Sequence, residues 1–142
     1  MDGTNNETGY RALLPEEQEC LRQGFALLRS GDYFATHDAW EEVWQGLRGR
    51  RRLFWQAMIQ LAVGAYHLQH GNLKGCQSQW SKALQKCDAL RPADATAVPE
   101  PLWQLTDVLH TCLTALATGE EPWPHLTAFA ASEPSEAWFT FA

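Results

Sequence analysis

The sequence predicts an all-α protein: a single bundle of five to six helices, built from two antiparallel hairpins, a C-terminal helix and an aromatic tail. Three observations carry this. Apolar residues recur at helical steps along most of the chain. No segment alternates apolar and polar residues in a β-branched-rich run bounded by turns. A glycine followed by a good helix cap occurs twice, as Gly31-Asp32 and Gly71-Asn72.

The first helix is expected to begin at Pro15, which suits a first turn, with Leu14, Leu21, Phe25 and Leu28 as its apolar residues at helical steps. Gly31 ends it and Asp32 caps the second helix, whose apolar residues are Phe34, Trp40, Val43, Trp44 and Leu47. Gly46 to Gly49 should stop that helix. The third runs from about Arg51 to His70, with Phe54, Met58, Leu61, Ala62, Ala65 and Leu68 on one broad apolar face. Gly71 stops it and Asn72 caps the fourth, which carries Leu73, Cys76, Trp80, Ala83, Leu84 and Cys87 and ends before Pro92. A fifth helix fits Leu102 to Ala117, with Gly119 as terminator. Trp123, Trp138, Phe139 and Phe141 make an aromatic tail, which should lie across the bundle or a partner chain rather than in water. The expected organisation is therefore a flexible segment over 1–13, core hairpins over 14–91, a linker over 92–101, and a C-terminal helix and tail over 102–142.

The hairpins repeat. Leu28-x-x-Gly31-Asp32 recurs as Leu68-x-x-Gly71-Asn72, and at the same offset Gly24 matches Gly64 and Trp40 matches Trp80. The pattern resembles the tetratricopeptide helical hairpin. Two copies at a longer spacing than that repeat's imply a closed bundle, not an open solenoid.

With 142 residues, 45% of them hydrophobic and 20% charged, the chain is one ordinary domain and wholesale disorder is excluded. The net charge of −6 argues against a globally basic nucleic-acid binder. The charge is uneven: residues 43–87 hold seven bases and no acid, and both flanks are acidic. The four cysteines show no zinc spacing and read as free thiols of a reducing compartment. The N-terminus lacks the pattern of a signal peptide, and Ala57 to Leu68 is too short and polar to span a bilayer. The expected location is the cytoplasm, with no membrane partner.

Chemistry concentrates in His37-Asp38-Ala39-Trp40-Glu41-Glu42-Val43-Trp44. His37 and Glu41 share a helix face, with Trp44 one turn further on. Gln56, Gln60 and His67 fall near one face of the next helix. If the hairpin brings these faces together, His37, Glu41, Gln60 and His67 converge as either a satisfied polar network or a small pocket. A mononuclear metal on His37, Glu41 and His67 is the weak alternative to no cofactor. The middle helices lack the carboxylates of a ferritin-like centre, and no nucleophile elbow or phosphate loop exists. Arg48, Arg50, Arg51 and Arg52 form the strongest charge cluster and the one candidate anion or RNA contact.

Gly24 to Leu90 resembles the bacterial and plant family catalogued as domain of unknown function 309. That signature looks like Tyr-Phe-Glu-x-His-Glu-x-x-Glu-x-x-Trp, then Gln-Gly-Leu-Ile-Gln, then a histidine and Gly-Asn-x-x-Gly-Ala. The counterparts are Tyr33 to Trp44, then Gln56-Ala57-Met58-Ile59-Gln60, then His67 and Gly71-Asn72-Leu73-Lys74-Gly75-Cys76. Ala35 and Asp38 replace two glutamates and Ala57 a glycine. The resemblance implies an all-helical fold and the pocket residues His37, Glu41, Trp44, Gln60, His67 and Asn72. It implies no activity.

The reading that follows is a non-catalytic binding or assembly module. The alternative is a small enzyme or ligand sensor using the His37 cluster. Seven tryptophans, more apolar surface than a small bundle needs, point to a protein partner or a homodimer, with a small ligand as the other option and nucleic acid disfavoured.

Overall fold

A computed structural model describes residues 11–131 and 133–141. Among these, seven α-helices follow one another with no strand: α1 (Pro15–Ser30), α2 (Tyr33–Trp44), α3 (Gly49–Gln69), α4 (Leu73–Leu90), α5 (Glu100–Ala117), α6 (Trp123–Phe129) and α7 (Glu136–Phe141). A short 3-10 turn, Ala95–Ala97, lies between α4 and α5.

Local chemistry sets the hairpin corners. Gly31 and Gly71 adopt φ of 83° and 78°, the left-handed region that a Cβ disfavours. Asp32 then accepts the amide of Ala35, and Asn72 that of Gly75, at the starts of α2 and α4.

The sequence repeat is a packing repeat. The indole of Trp40 lies on Gly24 and donates to the carbonyl of Leu21, at 3.4 Å. The indole of Trp80 lies on Gly64 and donates to that of Leu61, at 2.9 Å. In each hairpin the glycine removes the Cβ that would occupy the ring's place, so two helices approach closely around one buried indole.

The second hairpin covers the first, with α3 at the centre. That helix buries residues all round its axis: Phe54, Trp55, Met58, Leu61, Ala62 and Ala65 are fully enclosed. Its N-terminus begins two residues earlier than the spacing suggested, at Gly49 with φ 63°.

The largest departures from expectation lie at the two ends. Residues 11–13 belong to the fold: Leu13 is buried, and its amide donates to the carbonyl of Phe139 at 2.8 Å. The rest of the segment expected to be flexible, 1–10, lies outside the described residues. The tail is not an irregular strap but two short helices. Pro124 supplies the first turn of α6, and Trp138 of α7 packs on Phe25, Phe54 and Phe129. Helices this short do not hold in water alone; burial of their aromatic residues holds them. Among the described residues no helix is long and apolar enough to cross a membrane.

Candidate functional site

The register of α2 against α3 decides which polar residues meet. Near one end, the ring of Phe34 lies 5.8 Å from that of Tyr66. Near the other, the guanidinium of Arg52 stacks 3.9 Å over Trp44. The helices are antiparallel, so Gln60, between Arg52 and Tyr66 along α3, lies level with the middle of α2, on the side of α3 that also carries Gly64 and His67. The middle of α2 carries His37 and Glu41.

His37 Nε2 faces Glu41 Oε1 at 3.6 Å, one turn away on the half-open surface of α2. Four buried side-chain polar atoms lack a hydrogen-bond partner among the described residues, and three belong to this α2–α3 seam: His37 Nδ1, Trp44 Nε1 and Gln60 Oε1. The indole N–H is a donor, the amide oxygen an acceptor, and the imidazole nitrogen either according to tautomer. A buried polar atom left unpaired costs about 1–3 kcal/mol, so three in one seam are a sizeable charge against stability.

His67 does not join them. It lies about 10 Å further along α3 than Gln60. Its Nδ1 is 3.5 Å from the side-chain nitrogen of Asn72, the residue that caps α4. The pair fills the α3–α4 corner so closely that a Cβ on Gly75 would meet Asn72 Nδ2 at 2.6 Å and His67 Cγ at 3.0 Å. The six expected pocket residues thus divide into a seam (His37, Glu41, Trp44, Gln60) and a corner (His67, Asn72). His67 and Gln60 are two turns apart on α3, and the ring of Phe34 lies between His37 and Tyr66, the neighbour of His67.

The ligand atoms that could share a cation are those of His37, Asp38 and Glu41, all within 4.8 Å of one another. Asp38 takes the place expected of His67. Its signal was in the sequence, a carboxylate beside the histidine, but nothing in the spacing showed that the side chain turns the same way. A metal-bound imidazole usually donates its second N–H to an acceptor. His37 Nδ1 and Gln60 Oε1, both unpartnered on facing helices, are chemically matched for that role.

The arginine cluster is not one surface. Arg51 is 5% exposed and donates to the carbonyls of Arg11 and Thr140, both at 2.7 Å. Burial and the nearby Arg11 lower its pKa, and Glu17 opposes them. Arg52 donates to the carbonyls of Trp44 and Leu47, each at 3.2 Å, at the C-terminal end of α2 where the helix dipole favours a cation. Arg50 donates to the carbonyl of Leu90 at 2.6 Å, the end of α4. Arg48 is exposed and, among the described residues, its side chain makes no hydrogen bond or ion pair. An anion site shared by all four is therefore corrected: carbonyl oxygens already hold three of the guanidinium groups, and one of those is inside the protein.

Three of the four thiols are buried. Burial pushes Cys76 and Cys112 up to about 12 and Cys87 up to about 11, and no disulfide joins the four.

Residues 21–79 match the model of the DUF309 family, a domain of unknown function. The DUF309 segment spans most of α1, all of α2 and α3, and the start of α4, and contains both the seam and the corner. It stops short of α5, α6 and α7. No curated protein matches the chain, and no solved structure does. The match over residues 21–79 agrees with the resemblance in the residues and assigns no reaction.

Proposed function

We propose that the protein is a non-catalytic binding module whose ligand seats in the α2–α3 seam, against His37, Glu41, Trp44 and Gln60. The observation that supports this is the concentration of three buried, unpartnered polar atoms there. A structural network would pair them. A ligand that accepts from the Trp44 indole and donates to Gln60 supplies what the chain withholds. The chemistry is that of a small polar molecule with both a donor and an acceptor. Nothing in the seam supplies an activated nucleophile, which favours binding over turnover.

The test is a volume-conserving substitution. Gln60→Met removes an unpaired oxygen, so the binding reading expects unchanged or higher stability, by up to about 1 kcal/mol, and loss of any co-purified small molecule seen by native mass spectrometry. A loss of about 1–3 kcal/mol with no bound mass in the parent protein would instead identify a structural network.

A second reading rests on the three converging ligand atoms: a divalent cation on His37, Asp38 and Glu41, serving a sensor or a small enzyme. Elemental analysis of untagged protein beside His37→Ala separates the two. Stoichiometric metal, lost in the variant, supports the second; a bound organic mass without metal supports the first.

A further inference from the structure

The C-terminal helices form a concave site whose lining, apart from Phe25, lies outside residues 21–79. A cavity of about 440 Å³ opens between α5, α6 and α7, within the range of small-molecule sites. Its floor is aromatic. Phe25 and Trp138 meet edge to face with centroids 5.2 Å apart, and Phe129 lies 5.5 Å from Phe25. Trp103, half exposed, stands on the wall. The rim is acidic, with Glu100, Asp107 and Glu133 beside the single imidazole of His125, and no lysine or arginine lines it.

These groups are held in place. Along α5, Glu100, Trp103, Gln104 and Asp107 fall at steps of three and four on one face. Gln104 donates to Glu100 at 2.9 Å and accepts from the Trp138 indole at 3.3 Å, fixing a carboxylate at the rim and a ring at the floor. Arg29 approaches Glu133 at 3.9 Å, but one of its nitrogens is committed to the carbonyl of Ala130 at 2.6 Å. Asp107 makes no ion pair among the described residues.

We propose that this cavity binds a small amphipathic organic cation, an ammonium group carried on an aromatic or alkyl body. The aromatic floor takes the apolar body, and ring faces and rim carboxylates both favour the positive end. An anionic ligand would meet three carboxylates. A neutral apolar one would shield them from water without pairing them.

The test is a titration of the whole 15N-labelled chain with three probes of similar shape: phenethylammonium, 2-phenylethanol and 3-phenylpropionate. The indole N–H signals of Trp103 and Trp138 are followed. Phenethylammonium is expected to shift both saturably at millimolar or lower concentration, with the alcohol at least about tenfold weaker and the carboxylate silent. Asp107→Asn, an exposed change that leaves the fold intact, should weaken the ammonium about fivefold or more and leave the alcohol unaffected. Equal binding of alcohol and ammonium, or no saturation by about 10 mM, overturns the proposal. So does an unchanged affinity in Asp107→Asn, or a lysine-rich hexapeptide that binds more tightly than phenethylammonium.

Discussion

Two glycines and two tryptophans fix how the hairpins close. A Cβ at position 24 would lie 1.9 Å from Trp40 Nε1, and one at position 64 would lie 2.3 Å from the Trp80 ring. In an open helix, glycine to alanine is stabilising by about 1 kcal/mol. Here Gly24→Ala and Gly64→Ala should each destabilise by about 2–3 kcal/mol, since a fully buried indole cannot move aside. Gly46→Ala, which meets only a carbonyl at 3.8 Å, is the control and should stay within about 0.5 kcal/mol by urea denaturation.

Glu17 makes a second residue-scale prediction. Burial raises its pKa, but hydrogen bonds from Arg11 and the Leu14 amide outweigh that and hold the carboxyl below its ordinary 4.5. Its contribution is therefore complete above that ordinary value and disappears as pH falls through the lower, folded one. Glu17→Gln should lower stability by about 1 kcal/mol at pH 7 and much less at pH 3, measured as urea midpoints at both.

At the scale of elements, buried and half-buried arginines act as ties. Arg51 joins the segment before α1 and the end of α7 to α3 through two carbonyls. Arg51→Ala would leave both unpaired and should cost about 3 kcal/mol. The loss should be local first: limited proteolysis is expected to cut near α7 before the hairpins, and Trp138 emission to shift to the red. Cleavage within α3 at the same rate would mean that α7 is no separate unit of stability. Arg52 ties differently, closing the carbonyls of α2 while stacking on Trp44. A cluster that reads as a basic patch along the chain is divided among three different helix ends once the chain folds.

For the whole molecule, the aromatic surplus that suggested a homodimer has an internal use. Trp40, Trp55, Trp80 and Trp138 are buried within one chain, and Phe139 and Phe141 pack against the same core. Light scattering after size exclusion should give 16.0 kDa across concentrations. The thiols provide a second global measurement. Cys76, Cys87 and Cys112 are fully buried with raised pKa values and should react with an aromatic disulfide reagent only on unfolding. Cys20, partly exposed, should react slowly in the native state. Release of more than one thiol from native protein would mean that the core opens more readily than its packing implies.

The sequence by itself determined the helices, because their causes are local. Leu, Phe and Trp at steps of three and four, Pro15 in a first turn, and Gly31-Asp32 and Gly71-Asn72 at the corners act within a few residues of themselves. It also determined that Gly24 is equivalent to Gly64 and Trp40 to Trp80, and the fold shows that each glycine receives the indole of its own hairpin. What only the tertiary structure decided depends on register and on which way a side chain turns. The α2–α3 register sets Phe34 against Tyr66 and Trp44 against Arg52. Arg50 and Arg51 turn toward carbonyls that lie far away in the sequence, and Arg52 toward those that end the preceding helix. The tail coils into α6 and α7 because Phe25 and Phe54, from α1 and α3, present the surface that makes two such short helices stable. A site assembled across helices has no signature along any one of them, which is why the seam was legible only in part and the acidic cavity not at all.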